Sequence, residues 1–139
     1  HEFGHLWEYP LRSVCTISTH DMATLRGWWE EDPELTARYY NHVLGHWGEV
    51  PATAPGEVCE EIIRQHLQCP SLLAILSFQD WLSMDEELRY PDANAERINV
   101  PANPRHYWRY RMHLTLEELM KSHKFNEKMR GMIDETNRY

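Results

Sequence analysis

The chain has 139 residues, a formal net charge of −8 and 12% aromatic residues. This length suits one ordinary domain but is too short for a complete (β/α)8 barrel, which takes ~250 residues. The negative charge argues against nucleic acid as a partner, and no apolar stretch is long enough to span a membrane, so we expect neither partner.

The first residues, His1-Glu2-Phe3-Gly4-His5, match H-E-x-x-H, the signature of zinc metalloproteases. That chemistry needs a helix, because both histidines must lie on one face to bind the metal. Gly4 lies inside the would-be helix and Pro10 follows it closely, which argues against one. We therefore expect a loop without a metal, and a zinc hydrolase built on His1 and His5 is the less favoured alternative.

Two apolar segments predict parallel β-strands, near residues 14–19 and 72–78. The first strand ends at His20 and Asp21, and the second ends at another polar pair, residues 79–80. The carboxyl ends of parallel strands form the active-site face of a (β/α)8 barrel. Two alternatives stay open: the second segment could be a short core helix, and His20 and Asp21 could simply cap the turn that follows.

Helical spacing of apolar residues predicts four helices, near residues 33–45, 56–68, 116–122 and 126–136. Asp32 and Pro33 are typical of the cap and first position of a helix, and Thr115 and Glu118 have the spacing of a capping box. The helices between the two strands would supply the crossover that a parallel pair requires.

The segment Tyr107–Arg111 alternates aromatic and arginine residues. Such interleaving occurs in single-stranded nucleic-acid sites. Because the net charge disfavours that partner, we predict a loop held together by cation–π packing.

Three cysteines, Cys15, Cys59 and Cys69, show no metal-ligand spacing. An odd number of such residues favours reduced, buried thiols. We therefore expect a cytoplasmic protein.

Two motifs resemble one known family. STHDMATLRGWWEED, residues 18–32, resembles the segment that holds the third catalytic carboxylate of the amylomaltases, the 4-α-glucanotransferase or disproportionating-enzyme family. SFQDWLSM followed by RINVPANPRHYWRYRM resembles the segment after the last barrel strand of that family. The resemblance implies an α/β fold in which residues 1–139 are the C-terminal part of one catalytic domain. They would form the last two β/α units of a TIM barrel, as a mostly helical fragment.

The resemblance also implies a chemistry: retaining transfer of a segment from an α-1,4-glucan donor to a sugar acceptor, without a cofactor. In that family the nucleophile and the acid/base lie on earlier strands, so the chain alone is expected to be inactive. Asp21 matches the third carboxylate, which would accept hydrogen bonds from the sugar's 2- and 3-hydroxyl groups. The expected substrate-binding residues are His20, Asn99, Trp28 and Arg97.

One departure from the family pattern follows Asp21. Many bacterial amylomaltases have T-H-D-N-D-T where this chain has Met22 and Ala23 after the aspartate. The variant resembles the plant cytosolic branch, which implies a preference for longer or branched glucans.

Two further expectations remain. A carbohydrate-binding module without catalysis, using His20, Asp21, Trp28 and Trp29, is the main alternative function. Because a barrel fragment would leave strand edges unpaired, the isolated chain is also expected to self-associate, or to rearrange into a more helical packing that covers the strands.

Overall fold

The computed structural model describes residues 1–138. Their regular elements are β1 (Val14–Cys15), α1 (Leu25–Glu31), α2 (Pro33–His42), α3 (Gly56–Gln68), β2 (Leu73–Ala74), α4 (Phe78–Leu82), α5 (Leu116–Lys121) and α6 (His123–Glu135). Two 3-10 turns, Leu6–Glu8 and Ala93–Glu96, complete them. None of the helices within residues 1–138 has the length and apolar character needed to cross a membrane.

β1 and β2 pair in parallel, with Val14 opposite Leu73 and Cys15 opposite Ala74. The ladder is much shorter than the predicted strands 14–19 and 72–78. It ends where Ile75 N donates to Cys15 O at 2.9 Å. Beyond that point the Ser77 hydroxyl accepts a hydrogen bond from Asp80 N at 3.1 Å and caps α4. The prediction of a strand over 72–78 is therefore wrong in its second half, because the ladder ends after Ala74 and a helix begins at Phe78.

The helix ends differ from the predictions by a few residues. α2 begins at Pro33, where the Asp32 carboxylate accepts hydrogen bonds from two backbone amides at 3.1 Å. It ends at His42 rather than at residue 45, because the chain turns into the positive φ of Gly45, 72°. α3 occupies the predicted range, whereas α6 begins three residues before residue 126. The sequence analysis missed α1, whose N-cap is Thr24.

The hydrophobic core lies where α1, α3 and α6 meet. Its largest fully buried side chains include Trp29 of α1, Ile62 and Ile63 of α3, and Met132 of α6. Burying a side chain of this size contributes ~1.5–3 kcal/mol. The Trp29 indole also donates a hydrogen bond to Pro51 O at 2.8 Å. The core therefore fixes α1, which follows the loop with the predicted site.

The C-terminal residues secure the entry to β2. The Arg138 guanidinium donates hydrogen bonds to the carbonyl oxygens of Leu67, Cys69 and Ser71, at 2.5, 2.7 and 2.9 Å. These carbonyls lie at the end of α3 and in the turn before β2. One charged group thereby satisfies a carbonyl at the end of the helix and two in the turn that follows it.

Candidate functional site

A buried aspartate holds both ends of the loop that carries His20 and Asp21. Asp80, on α4, is 0% exposed. Its carboxylate accepts a hydrogen bond from the Ser18 hydroxyl and another from Leu25 N, the latter at 2.9 Å. Ser18 precedes the loop 19–24 and Leu25 begins α1. The carboxylate thus fixes where the loop starts and where it ends.

A second buried carboxylate joins α1 to the segment after α4. Glu96 Oε1 lies 2.6 Å from Arg26 Nη1, and Glu96 Oε2 accepts a hydrogen bond from Thr24 Oγ1 at 3.0 Å. Arg26 also donates to Tyr90 O at 2.6 Å. Burial raises the pKa of the Glu96 carboxyl, while Arg26 and Thr24 act in the opposite direction. The ion pair between Arg26 and Glu96 places the backbone around Asn99 beside the loop 19–24.

Above these buried groups, the exposed side chains of His20 and Asp21 meet the half-buried Asn99. Asp21 Oδ2 lies 3.2 Å from His20 Nε2, and Asp21 Oδ1 accepts a hydrogen bond from Asn99 Nδ2 at 2.7 Å. The side chains of His20 and Asp21 are 55% and 54% exposed. We call His20, Asp21 and Asn99 the His–Asp–Asn cluster. Each carboxylate oxygen has one protein partner, and its remaining lone pair can accept from a ligand.

Arg97 lies beside this cluster and contacts its backbone. Its Nε donates to Asn99 O at 2.9 Å, and its Nη1 lies 3.4 Å from Glu31 Oε1. These contacts fix Asn99 between the end of α1 and the loop. Arg97 is therefore placed to orient Asn99.

Trp28 lies in a different environment. Its half-buried ring packs edge-on against Tyr39, with the centroids 5.3 Å apart. It lines a cleft of about 170 Å³ together with Met22, Ala23 and His66. This cleft borders the loop 19–24, and Trp28 faces the packing between α1, α2 and α3.

The sequence analysis missed an aromatic side chain at the cluster. The Trp108 ring centroid lies 5.2 Å from that of His20, with the planes inclined by 45°. The segment around it holds the predicted cation–π contact, since Arg109 Cζ lies 5.0 Å from the Tyr107 ring centroid. The alternation of aromatic and arginine residues marked this segment, but nothing in the sequence placed it against His20.

The H-E-x-x-H segment does not form the helix that a zinc site of this type needs. Residues 1–5 are irregular and a 3-10 turn begins at Leu6. The Glu2 carboxylate is bound by the Arg38 guanidinium, with the closest contact at 2.8 Å. Across residues 1–138, no group of three or more His, Cys, Asp or Glu side chains has the arrangement of a metal site. The residues of the H-E-x-x-H segment instead line a cleft of about 560 Å³ next to α2 and α3.

A carboxylate, an imidazole and a carboxamide can bind the hydroxyl groups of a sugar, and an exposed indole can contact its apolar ring face. Residues 1–116 match the family described as 4-alpha-glucanotransferase. The chain belongs to the 4-alpha-glucanotransferase family, as its two motifs predicted.

Individual relatives agree with this assignment. The 4-alpha-glucanotransferase DPE2 of Oryza sativa subsp. japonica is 38% identical over 137 residues, which are 99% of this chain and 14% of the rice protein. The 4-alpha-glucanotransferase of Chlamydia pneumoniae is 30% identical over 125 residues, 89% of this chain and 23% of that protein. The chain therefore spans a small part of the length of these relatives. The higher identity to the rice protein agrees with the predicted resemblance to the plant branch.

A solved structure shows the same fold. An amylomaltase from Streptococcus agalactiae, in complex with acarbose, superposes with a TM-score of 0.67 and 21% identity. The match covers 94% of this chain and 23% of the amylomaltase chain. At this level of identity the likeness establishes the fold.

Proposed function

We propose that this chain forms part of the active site of a 4-α-glucanotransferase that transfers α-1,4-glucan segments between oligosaccharides or glucans. The observation that carries the proposal is the His–Asp–Asn cluster, which follows a parallel strand in a chain of this family. The loop that holds the cluster is anchored by Asp80 from below. A rigid support of this kind is what precise positioning of a transition state requires.

In this proposal Asp21 stabilises the transition state. The reaction proceeds by retaining double displacement, through an ion with oxocarbenium character. The Asp21 carboxylate accepts hydrogen bonds from the 2- and 3-hydroxyl groups of the reacting glucose, and these strengthen as the ring flattens. Asn99 holds one oxygen of the carboxylate in place, and His20 donates to a neighbouring hydroxyl group.

The nucleophile and the acid/base come from elsewhere in the enzyme. Support for this comes from the small share of each relative that the chain spans, 14% of the rice protein and 23% of the chlamydial one. The 139 residues alone then release neither glucose nor longer products from maltotriose. Turnover by the pure chain would contradict this division of roles.

We also propose that β1 and β2 are neighbouring strands of a (β/α)8 barrel, within one catalytic domain that continues beyond these residues. Their parallel pairing supports this, and so do the exposed apolar side chains of Val14, Leu73 and Ile75. Further β/α units would cover these side chains in the barrel. In isolation the chain then self-associates through them, which light scattering on dilute samples would detect.

The cysteines fit a reducing compartment, and we extend the proposal to the cytoplasm. All three are free and buried. Burial raises the pKa of the Cys15 thiol to about 12 and that of Cys59 to about 11. Cys15 and Cys59 therefore react slowly, because the thiolate is the reactive form. Burial would also raise the pKa of the Cys69 thiol, but hydrogen bonds with Ser71 and Cys15 outweigh it and lower the pKa.

The test is Asp21→Asn in a full-length 4-α-glucanotransferase that carries this sequence. Asn keeps the shape but removes the charge that binds the polarised hydroxyl groups. We expect kcat to fall ~10²–10³-fold, the effect of removing one transition-state contact. Circular dichroism should stay unchanged. A kcat near that of the wild type would contradict the role of Asp21, and glucan binding without turnover by the wild type would favour the carbohydrate-binding module.

A further inference from the structure

Trp108 combines an exposed indole with a position at the His–Asp–Asn cluster. Its side chain is 61% exposed, although indole is among the largest apolar groups in proteins. Two other tryptophans, Trp7 and Trp47, are exposed to a similar degree, but they contact His5 and His42 on other parts of the surface. Trp108 is distinguished by its neighbour, because His20 is the residue next to Asp21.

The segment that presents Trp108 is irregular but anchored on both sides. His106 Nε2 lies 2.9 Å from Ile98 O, and His113 Nε2 lies 2.6 Å from Leu88 O. Between these anchors Arg109 stacks on Tyr107. The two histidine contacts tie the segment to Ile98 and Leu88 on either side of Trp108, and in this arrangement the indole lies exposed beside His20.

The two sorts of side chain at this surface match the two surfaces of a glucose ring. The hydroxyl groups at the ring edge need polar partners, which the His–Asp–Asn cluster provides. The C–H groups on the ring face are apolar and pack on an aromatic plane. In a glucan chain the next ring lies directly beside the first, and Trp108 lies directly beside the cluster.

We propose that Trp108 is a stacking platform for a second glucose ring, adjacent to the ring that the His–Asp–Asn cluster binds. This inference rests on the proposed function and adds a specificity residue to it. Trp108 selects for a glucan of at least two rings across the site. The contact of Trp108 with His20 also fixes how the two glucose rings lie relative to each other, since the imidazole touches both the indole and Asp21.

The test compares Trp108→Ala, Trp108→Phe and the matched control Trp47→Ala in the full-length enzyme. Trp47 is 76% exposed and undergoes the same chemical change. With Trp108→Ala we expect kcat/KM to fall about tenfold or more on maltooligosaccharides long enough to reach the platform, the scale for a central Trp in an interface. The loss should lie in KM and should grow with chain length. Trp108→Phe should retain most of the activity, and Trp47→Ala all of it.

Binding is measured separately from turnover. In an Asp21→Asn background, adding maltopentaose should change the tryptophan fluorescence, and Trp108→Phe should abolish that change. A Trp108→Ala variant that behaves like Trp47→Ala would overturn the inference. An equal fall in kcat on every substrate would also overturn it, because it would show that Trp108 acts only by positioning His20. If Asp21→Asn retains full turnover, the proposed function itself fails, whatever Trp108 does.

Discussion

Asp21 and Asp80 follow the two paired strands, yet they lie in opposite environments. The Asp21 side chain is 54% exposed, and its partners are His20 and the Asn99 amide. Asp80 is completely buried, and its partners are the Ser18 hydroxyl and Leu25 N. One carboxylate faces solvent where a substrate could reach it. The other holds the loop on which the first one lies.

The difference arises from what the chain does after each strand. β1 leads into the loop 19–24, so Asp21 lies at the surface before α1 begins. β2 leads almost at once into α4, whose first turn is capped by Ser77 and directs Asp80 inward. A polar pair after a strand is therefore not enough to indicate a site. The element that follows decides whether the pair contacts a ligand or supports the fold.

The largest expected effect comes from removing the second buried carboxylate, by Glu96→Leu. Arg26, which is buried, would lose its counter-charge and Thr24 its acceptor, so we expect a destabilisation of ~3–5 kcal/mol. Urea unfolding would measure it. The double variant Arg26→Met with Glu96→Leu should recover much of the loss, because no unpaired charge remains. Glu31→Gln, which breaks an exposed pair with Arg97, is the control and should cost less than ~1 kcal/mol.

Asp80→Asn should lower stability where Asp21→Asn does not. An amide has a single acceptor oxygen, so it cannot replace both carboxylate oxygens that Ser18 and Leu25 N use. We expect a loss of ~1–3 kcal/mol in the free energy of unfolding. The same change at the exposed Asp21 should stay within ~0.5 kcal/mol. Equal losses at the two positions would show that burial does not separate the roles of the two aspartates.

Asn99→Ala tests the contact of the exposed carboxylate, Asp21, with its amide partner. The variant removes the Nδ2–H donor to Asp21 Oδ1 and leaves that oxygen to solvent. We expect kcat/KM of the full-length enzyme to fall about tenfold, equivalent to ~1.4 kcal/mol, without loss of stability. Asn103→Ala in the same loop should leave kcat/KM unchanged, since Asn103 Oδ1 accepts only the local Arg105 N. A fall of the same size in both variants would indicate a general disturbance of the loop.

The sequence supported some features of the fold and site better than others. Caps such as Asp32 and Thr115 depend on neighbours a few residues away, so their patterns could be recognised directly. The role of Asn99 came from a resemblance, and the structure brings it to Asp21 across 78 positions of the chain. Trp28 was expected to bind the substrate, but its ring packs on Tyr39. Contacts such as that of Trp108 with His20 depend on how an irregular segment folds back, which no local pattern encodes.

The last prediction concerns Glu60, a carboxylate whose exposure is intermediate between that of Asp80 and that of Asp21. Its side chain is 22% exposed on α3, and it accepts from Lys128 on α6 at 2.9 Å and from Arg64 at 3.2 Å. Burial alone would raise the pKa of Glu60, but the hydrogen bonds and charges of Lys128 and Arg64 outweigh it and lower the pKa. A lowered pKa in the folded state contributes stability above the ordinary pKa of Glu, and this contribution disappears as the pH falls through the folded value.

We therefore expect Glu60→Gln to cost ~0.5–1 kcal/mol at pH 7, the usual range for a partly exposed ion pair. The difference from the wild type should shrink as the pH falls below ~4.5 and should vanish below the lowered pKa of the folded state, where Glu60 is neutral in both states. High salt at pH 7 should reduce it as well, since the pair is partly accessible to ions. Urea unfolding at several pH values would measure both trends, with Glu127→Gln, an exposed carboxyl on α6, as the control. If the difference persisted at low pH, the contribution of Glu60 would come from packing on α6, and its charge would contribute little.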